Sequence, residues 1–203
     1  MSEFVKREID NFWNLKWLNT YMMGHKGFIA GDCFKNIFTD DEVKDIDIFF
    51  ENEADYLEAK EYYDENDEFH FYYQNDKVVS YKHKDNDIRI ELINSVFGKP
   101  EDIIGQFDFS IVKFAYYKEV DYEEEEVSYK IMHHKDFFEH LHLKRLVIGN
   151  ELRFPNGTFE RMLRYLKYGY FPCKESKVNL IRCIRENENQ DDTLMESLYD
   201  GLD

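Results

Sequence analysis

The fold of this chain is decided by the stretch Lys44-Asp45-Ile46-Asp47-Ile48-Phe49-Phe50. Its alternation of polar and apolar residues has the two-residue period of a β-strand, with the two isoleucines on the buried face. Asp45 and Asp47 then project together from the other face, about 7 Å apart. Two like charges at this spacing repel each other unless a cation lies between them, and hard divalent ions such as Mg²⁺ accept carboxylate oxygens. We therefore predict a metal-binding pair; the alternative is a solvated strand face.

A predicted strand-to-helix turn precedes this pair. Phe28-Ile29-Ala30 is typical of a short buried strand that ends at Gly31, and Cys33–Phe38 is typical of a short helix. A helix N-terminus after a glycine presents backbone N–H groups to a phosphate, and glycine permits close approach of the backbone. We therefore expect Gly31 to shape a phosphate-binding turn.

The remaining pattern predicts an α+β protein, a mixed β-sheet flanked by helices, with a helical C-terminal third. The predicted helices cover 4–23, 53–65, 159–170 and 175–187, with a short helix that begins at Pro100. The predicted strands cover 68–74, 77–83, 87–93, 107–117 and 127–132. Trp13 and Trp17 are predicted to lie in the core. The acidic run 121–126 predicts a hairpin connection, and the tail after Glu186 predicts a frayed end. We expect two domains: an α+β core over 1–132 and a basic helical region with an acidic tail over 133–203.

Composition narrows the class of protein. The 203 residues are 43% hydrophobic, enough for a sizeable core, and the net charge of −17 argues against a protein that coats DNA indiscriminately. No signal peptide or membrane-spanning apolar run is visible, and the three cysteines have no CxxC spacing, so we predict a cytoplasmic protein with reduced thiols. The histidines between His133 and His142 fit no standard zinc spacing, and no zinc is expected.

The charge is unevenly distributed. Between Lys144 and Arg185, ten Lys and Arg residues stand against three Glu, whereas the remainder is strongly acidic. This asymmetry predicts either two parts with different partners or a basic segment that neutralises its acidic neighbour. Arg161 and Arg164 lie on the polar face of the helix predicted at 159–170, where guanidinium groups suit phosphates; the alternative is an ordinary amphipathic helix with a solvated basic face.

Two other acids in predicted strands could act together with the aspartate pair. Residues 87–93 alternate so that Arg89 and Glu91 share one face, and Asp108 begins the strand predicted at 107–117. Glu91 is preferred because Arg89 beside it would contact phosphate, although either acid could be a plain surface or capping group.

The Gly31 turn followed by the Asp45-x-Asp47 strand resembles the signature of the nucleotidyltransferase superfamily, of the DNA polymerase β-like type. The spacing and the Phe34–Phe38 helix are most similar to the head domain of tRNA nucleotidyltransferases and bacterial poly(A) polymerases, a type also found as short phage proteins. The resemblance covers residues 28–50 firmly and extends loosely to about residue 117. It implies a mixed sheet with the site at one edge, two Mg²⁺ ions and a nucleoside triphosphate substrate.

The resemblance also implies roles for individual residues. Asp45 and Asp47 would bind metal, with Glu91 or Asp108 assisting; the nucleotide-binding residues would be Gly31, Asp32, Lys35, Arg89, Arg161 and Arg164. The implied reaction is transfer of a nucleoside monophosphate from the triphosphate to a hydroxyl of an RNA end, a protein or a small molecule.

Two departures from the family pattern support an alternative. Asp32 follows Gly31 where the family has glycine or serine, and Lys35-Asn36 stands where it has Arg-Asp. The alternative is a non-catalytic binding or inhibitor protein on the same fold that acts through protein partners.

Overall fold

The computed structural model describes residues 3–9, 12–121, 126–149 and 152–187. Most of the connection predicted at 121–126, and the tail predicted after Glu186 from residue 188 onward, lie outside the described residues. The main-sheet strands are β1 (Phe4–Glu8), β2 (Phe28–Ala30), β3 (Asp45–Phe50), β4 (Phe69–Gln74), β5 (Val78–His83), β6 (Arg89–Phe97), β7 (Phe114–Asp121) and β8 (Glu126–His134). The helices are α1 (Cys33–Thr39), α2 (Glu53–Glu65), α3 (Pro100–Gly105), α4 (Phe137–His142), α5 (Pro155–Lys167) and α6 (Lys174–Asn187).

Within the described residues, eight strands form one mixed sheet in the order β1-β8-β7-β2-β3-β6-β5-β4. β3 and β6 pair in parallel, and the other neighbours pair antiparallel. A separate parallel pair joins β9 (Arg145–Leu146) to β10 (Phe171–Pro172). The α+β prediction, with a mixed sheet, flanking helices and a mainly helical C-terminal third, is confirmed.

The alternation in β3 separates the core from the polar face of the sheet. Ile46 and Ile48 are fully buried, and they lie opposite Ile90 and Leu92 of β6, which are also fully buried. Helix α2 packs against β3, β4 and β6, and its Tyr63 ring stacks against a β5 tyrosine with the centroids 5.2 Å apart. The aspartates of β3 are thereby turned away from the apolar core.

The helix predicted over 4–23 is wrong. Residues Phe4–Glu8 form β1, an edge strand paired antiparallel with β8, and Trp13–Met22 form a 3-10 helix and not an α-helix. Trp13 is 77% exposed and Trp17 38% exposed, so neither belongs to the core. Helical periodicity is a weak preference, and here pairing with a strand more than a hundred residues away overrides it.

The long strand predicted over 107–117 is also wrong. A 3-10 turn at Ser110–Val112 interrupts it, and β7 begins only at Phe114. Asp108 therefore does not lie in a strand of the sheet. Phe109 forms an isolated bridge with Ile148, and the Ser110 N–H donates to the Val147 carbonyl. These residues therefore pair with the 147–148 segment and do not continue β7.

Contacts divide the described chain into two compact units. The first contains the described residues up to Gly105 together with Val112–Lys135, and therefore the whole main sheet. The second contains Gln106–Ile111 and the described residues from Asp136 onward, with α4, α5 and α6. No helix among the described residues is both long and apolar enough to cross a membrane.

Candidate active site

Strand β3 presents Asp45 and Asp47 on the face of the sheet opposite the core. Both residues are half-buried, whereas Ile46 between them is fully buried. β3 lies between β2 and β6, so its carboxylates have a neighbouring strand on each side. The sequence predicted this shared orientation from the two-residue period alone.

The turn after β2 passes directly beside Asp47. Gly31 has φ +110°, and a Cβ placed on it would lie 3.4 Å from Asp47 Oδ2. Only glycine adopts this backbone region without strain. The Gly31 N–H donates to the Phe114 carbonyl at 3.1 Å, so this donor is used within the sheet and does not point to a phosphate.

Asp32 lies exposed at the start of α1, and its side chain makes no capping hydrogen bond to that helix. Its charge acts on Asp47 and Glu91, whose pKa values it helps to raise. The residue therefore adds to the negative potential of the site and does not cap the local helix.

Strand β6 supplies a matching row of side chains. In the parallel register, Arg89 lies opposite Asp45, and Glu91 lies opposite Asp47. The Arg89 guanidinium donates to Asp45 Oδ2 through Nη2 at 2.9 Å. Of the two candidates for a third acid, Glu91 is the one that the fold places next to the aspartate pair.

Burial and like charges dominate the electrostatics. Burial, followed by the charges of Glu91, Asp32 and Asp45, raises the pKa of Asp47 well above its usual range, and Arg89 opposes this effect. Burial also raises the pKa of Glu91 against the opposing effects of its Tyr73 hydrogen bond and Arg89. Such a cluster either retains a proton or attracts a cation.

The donor set fits a divalent cation. Carboxylate oxygens are the ligands that Mg²⁺ prefers, and a cation beside Asp47 would stabilise its ionised form, which burial and the neighbouring acids disfavour. No group of three or more His, Cys, Asp or Glu side chains among the described residues is placed to hold a metal. Mg²⁺ is commonly held by one or two carboxylates completed by substrate phosphates, and the pair on β3 suits that arrangement.

Tyr73 was missed by the sequence reasoning. Its hydroxyl donates to Glu91 Oε1 at 2.9 Å, although Tyr73 lies on β4, two strands away from β6. A register shift in β4 between Phe71 and Tyr73 brings Tyr73 opposite Ser80, in the same cross-strand row as Glu91. No local sequence signal reveals such a shift.

Lys35 is a buried residue of the first unit. Its ammonium donates to Asn36 Oδ1. Burial lowers the Lys35 pKa, although nearby acids, led by Asp32, oppose this effect. Asn36 in turn donates to the Glu42 carbonyl at 3.0 Å, which ties α1 to the loop before β3.

Asp108 and Arg161 pair with each other in the second unit. Arg161 Nε lies 2.7 Å and Nη2 lies 2.6 Å from Asp108 Oδ2, and the Asp108 side chain is only 10% exposed. Arg164 lies exposed on the same helix, α5. The catalytic role considered for Asp108 and the nucleotide-binding roles of the two arginines stay predictions.

Comparison with known proteins assigns a family. A family model described as "Gad2: Gabija anti-defense 2 family protein" matches residues 3–144, more than half of the chain. The chain belongs to the Gad2 family. A search of curated proteins found no match to this Gad2 protein.

Solved structures show the fold of this Gad2 protein. A CCA-adding enzyme in complex with ATP has a TM-score of 0.65 at 16% identity, over 92% of this chain and 48% of that one. The Thermotoga maritima CCA-adding enzyme in complex with tRNA has a TM-score of 0.59 at 13% identity, over 92% and 47%. A CCA-adding enzyme in complex with CTP gives 0.63 at 17%, over 92% and 46%. The predicted nucleotidyltransferase-like fold is confirmed, and the chain spans about half the length of these structures.

Proposed function

We propose that this Gad2-family chain is a metal-dependent nucleotidyltransferase. It transfers a nucleoside monophosphate from a nucleoside triphosphate to a hydroxyl of an RNA end, a protein or a small molecule. The observation that carries the proposal is the position of Asp47. The Gly31 turn passes so close that a Cβ added there would lie 3.4 Å from the Asp47 carboxylate, and Glu91 lies opposite Asp47 on the parallel strand. The nucleotidyltransferase-like fold supports it.

Asp45 and Asp47 would hold the divalent cation. A bound Mg²⁺ would supply a Lewis acid for the phosphate oxygens. The carboxylates themselves would fix the ion at the end of a rigid strand, because β3 is paired on both sides. This rigidity matters, because charge stabilisation in phosphoryl transfer depends on preorganised groups.

Glu91 would accept the proton of the acceptor hydroxyl. The acceptor oxygen forms a bond to the α-phosphorus, the bond between that phosphorus and its bridging oxygen to the β-phosphorus breaks, and pyrophosphate leaves. Because burial raises the pKa of Glu91, it is a better base than an exposed glutamate. Tyr73 would hold the Glu91 carboxylate in position through the 2.9 Å hydrogen bond.

Gly31 would leave room for the phosphates beside Asp47, since it has no Cβ, and a Cβ at this position would lie 3.4 Å from Asp47 Oδ2. Arg89 would contact a phosphate after release from Asp45, because guanidinium binds phosphate and carboxylate in similar geometry. For Asp32 and Lys35, nucleotide binding stays a prediction.

Calorimetric titration of the four common ribonucleoside triphosphates tests the proposal. We expect binding that needs Mg²⁺ in the wild type and is lost in the Asp45→Asn/Asp47→Asn double variant. Asp87→Asn is the matched control, because that carboxylate is 95% exposed and pairs with Lys82 at 2.6 Å. Absence of triphosphate binding by folded wild type would overturn the proposal. Pyrophosphate release in the presence of RNA or protein acceptors then measures transfer itself.

A second candidate is a binding protein without catalysis. The observation that favours it is the ion pair between Arg89 and Asp45, which satisfies a predicted metal ligand within the protein. The Gad2 family description names an anti-defense role, which protein contacts alone could fulfil. In cells carrying Gabija, the Asp45→Asn/Asp47→Asn variant should keep its anti-defense effect if binding suffices, and should lose it if transfer is required.

A further inference from the structure

The parallel pairing of β3 and β6 places a fixed cation at one of the two aspartates. Arg89 lies directly opposite Asp45, and its Nη2 lies 2.9 Å from Asp45 Oδ2. Asp47 has no such cation opposite it, because its partner in the register is Glu91. The two carboxylates are therefore equivalent in the sequence pattern but not in the folded protein.

The charges around the pair reinforce this difference. Asp47 experiences the repulsion of Glu91, Asp32 and Asp45, with Arg89 as the opposing charge. Arg89 is itself attracted by Glu91 and Asp45, and these carboxylates raise its pKa against the opposing effect of burial. The Arg89 guanidinium is thus attracted by both Glu91 and Asp45, and its hydrogen bond to Asp45 holds it at that carboxylate.

We infer that Arg89 is a resident cation that occupies Asp45 in place of a divalent metal ion in the free protein. The inference deepens the proposed function, because it rests on Asp45 and Asp47 as the metal ligands. The inference predicts the number of bound ions: the free protein binds one divalent ion fewer per chain than the same protein would bind without the Arg89 guanidinium. A metal reaches Asp45 only after the guanidinium has left.

The alternative is that Arg89 only stabilises strand pairing. The Arg89 and Asp45 side chains are 32% and 38% exposed, and an ion pair in that environment contributes little to folding. A purely structural pair would leave the number of bound metal ions unchanged when Arg89 is neutralised. The number of sites, and not activity, therefore separates the two explanations.

Mn²⁺ titration followed by electron paramagnetic resonance of the free ion tests the inference without nucleotide. We expect Arg89→Gln to bind one more Mn²⁺ per chain than the wild type, and the added ion to be lost again in Arg89→Gln/Asp45→Asn. Arg89→Lys keeps a charge at this position and should bind as the wild type does. Thermal unfolding of each variant verifies that it is folded.

Lys44→Gln is the matched control. Lys44 precedes Asp45 directly, and its ammonium lies 3.7 Å from Glu42 in an exposed pair. Lys44→Gln removes one positive charge, as Arg89→Gln does. Because solvent and salt screen an exposed charge, we expect Lys44→Gln to change the Mn²⁺ affinity by less than about twofold. An equal number of ions bound by wild type and Arg89→Gln would overturn the inference, including the case in which neither binds any. The proposed function would stand in that case if triphosphate binding and pyrophosphate release were observed.

Discussion

Replacement of Gly31 by alanine tests the turn on which the candidate site depends. Gly31 has φ +110°, a region that residues with a Cβ rarely adopt, and the added methyl would lie 3.4 Å from Asp47 Oδ2. That distance is an ordinary van der Waals contact, so the cost comes from backbone strain and not from a clash. Strain of this kind costs about 2 kcal/mol, which for a domain of this size lowers Tm by about 4–8 °C.

Two glycines provide matched controls for thermal unfolding. At Gly105 an added Cβ meets no atom within 4 Å, and its φ is not in the positive region, so Gly105→Ala should not lower Tm. Gly169 has φ +81° in the second unit, so Gly169→Ala should lower Tm much as Gly31→Ala does. Only Gly31→Ala should also weaken Mg²⁺-dependent triphosphate binding in calorimetry. A Gly31→Ala protein with wild-type Tm would refute the strain argument, and one with lower Tm but unchanged nucleotide binding would refute the role of the turn.

The other predictions concern charge. The pKa of Asp47 is higher in the folded protein than in the unfolded chain, where it is about 3.9. The contribution of Asp47 to stability is therefore present below about pH 3.9, and it is lost as the pH rises through the folded-state pKa. Asp47→Asn should therefore raise Tm at neutral pH, and each tenfold difference in proton affinity between the folded and unfolded states corresponds to about 1.4 kcal/mol of unfolding free energy. Tyr73→Phe removes a hydrogen bond that lowers the Glu91 pKa, so the acidic limb of the pH–rate profile for transfer should move to higher pH. Arg161→Gln leaves the Asp108 carboxylate, 10% exposed, without its paired guanidinium, and denaturant unfolding should show a loss of about 3 kcal/mol.

Exposed residues provide matched controls for the Asp47 and Arg161 variants. Asp87→Asn removes an exposed carboxylate and should leave Tm at neutral pH nearly unchanged, so an equal rise in both variants would indicate a net-charge effect. Lys167→Gln removes an exposed charge from α5 and should cost less than about 0.5 kcal/mol. A pH–rate profile that is identical for wild type and Tyr73→Phe would contradict the proton-accepting role of Glu91.

Local sequence patterns were sufficient to predict the strand that carries the candidate site. The two-residue period of β3 placed both aspartates on one face, and the glycine at the end of β2 marked the turn, because both signals arise from backbone geometry within a few residues. Long-range pairing was not visible in the same way. The local pattern of Phe4–Glu8 predicts a helix because its strand partner, β8, is remote in the chain. The strand predicted at 107–117 is interrupted because Phe109 pairs with Ile148.

The sequence by itself determined the fold class, the shared face of Asp45 and Asp47, and the glycine at the turn, since each depends on neighbours along the chain. The tertiary structure alone decided which side chains surround those carboxylates. The β3–β6 register set Arg89 against Asp45 and Glu91 against Asp47, and the shift in β4 brought the Tyr73 hydroxyl to Glu91. Register between strands depends on packing over the whole sheet, and a displacement by one residue would exchange the faces, so no local pattern contains it.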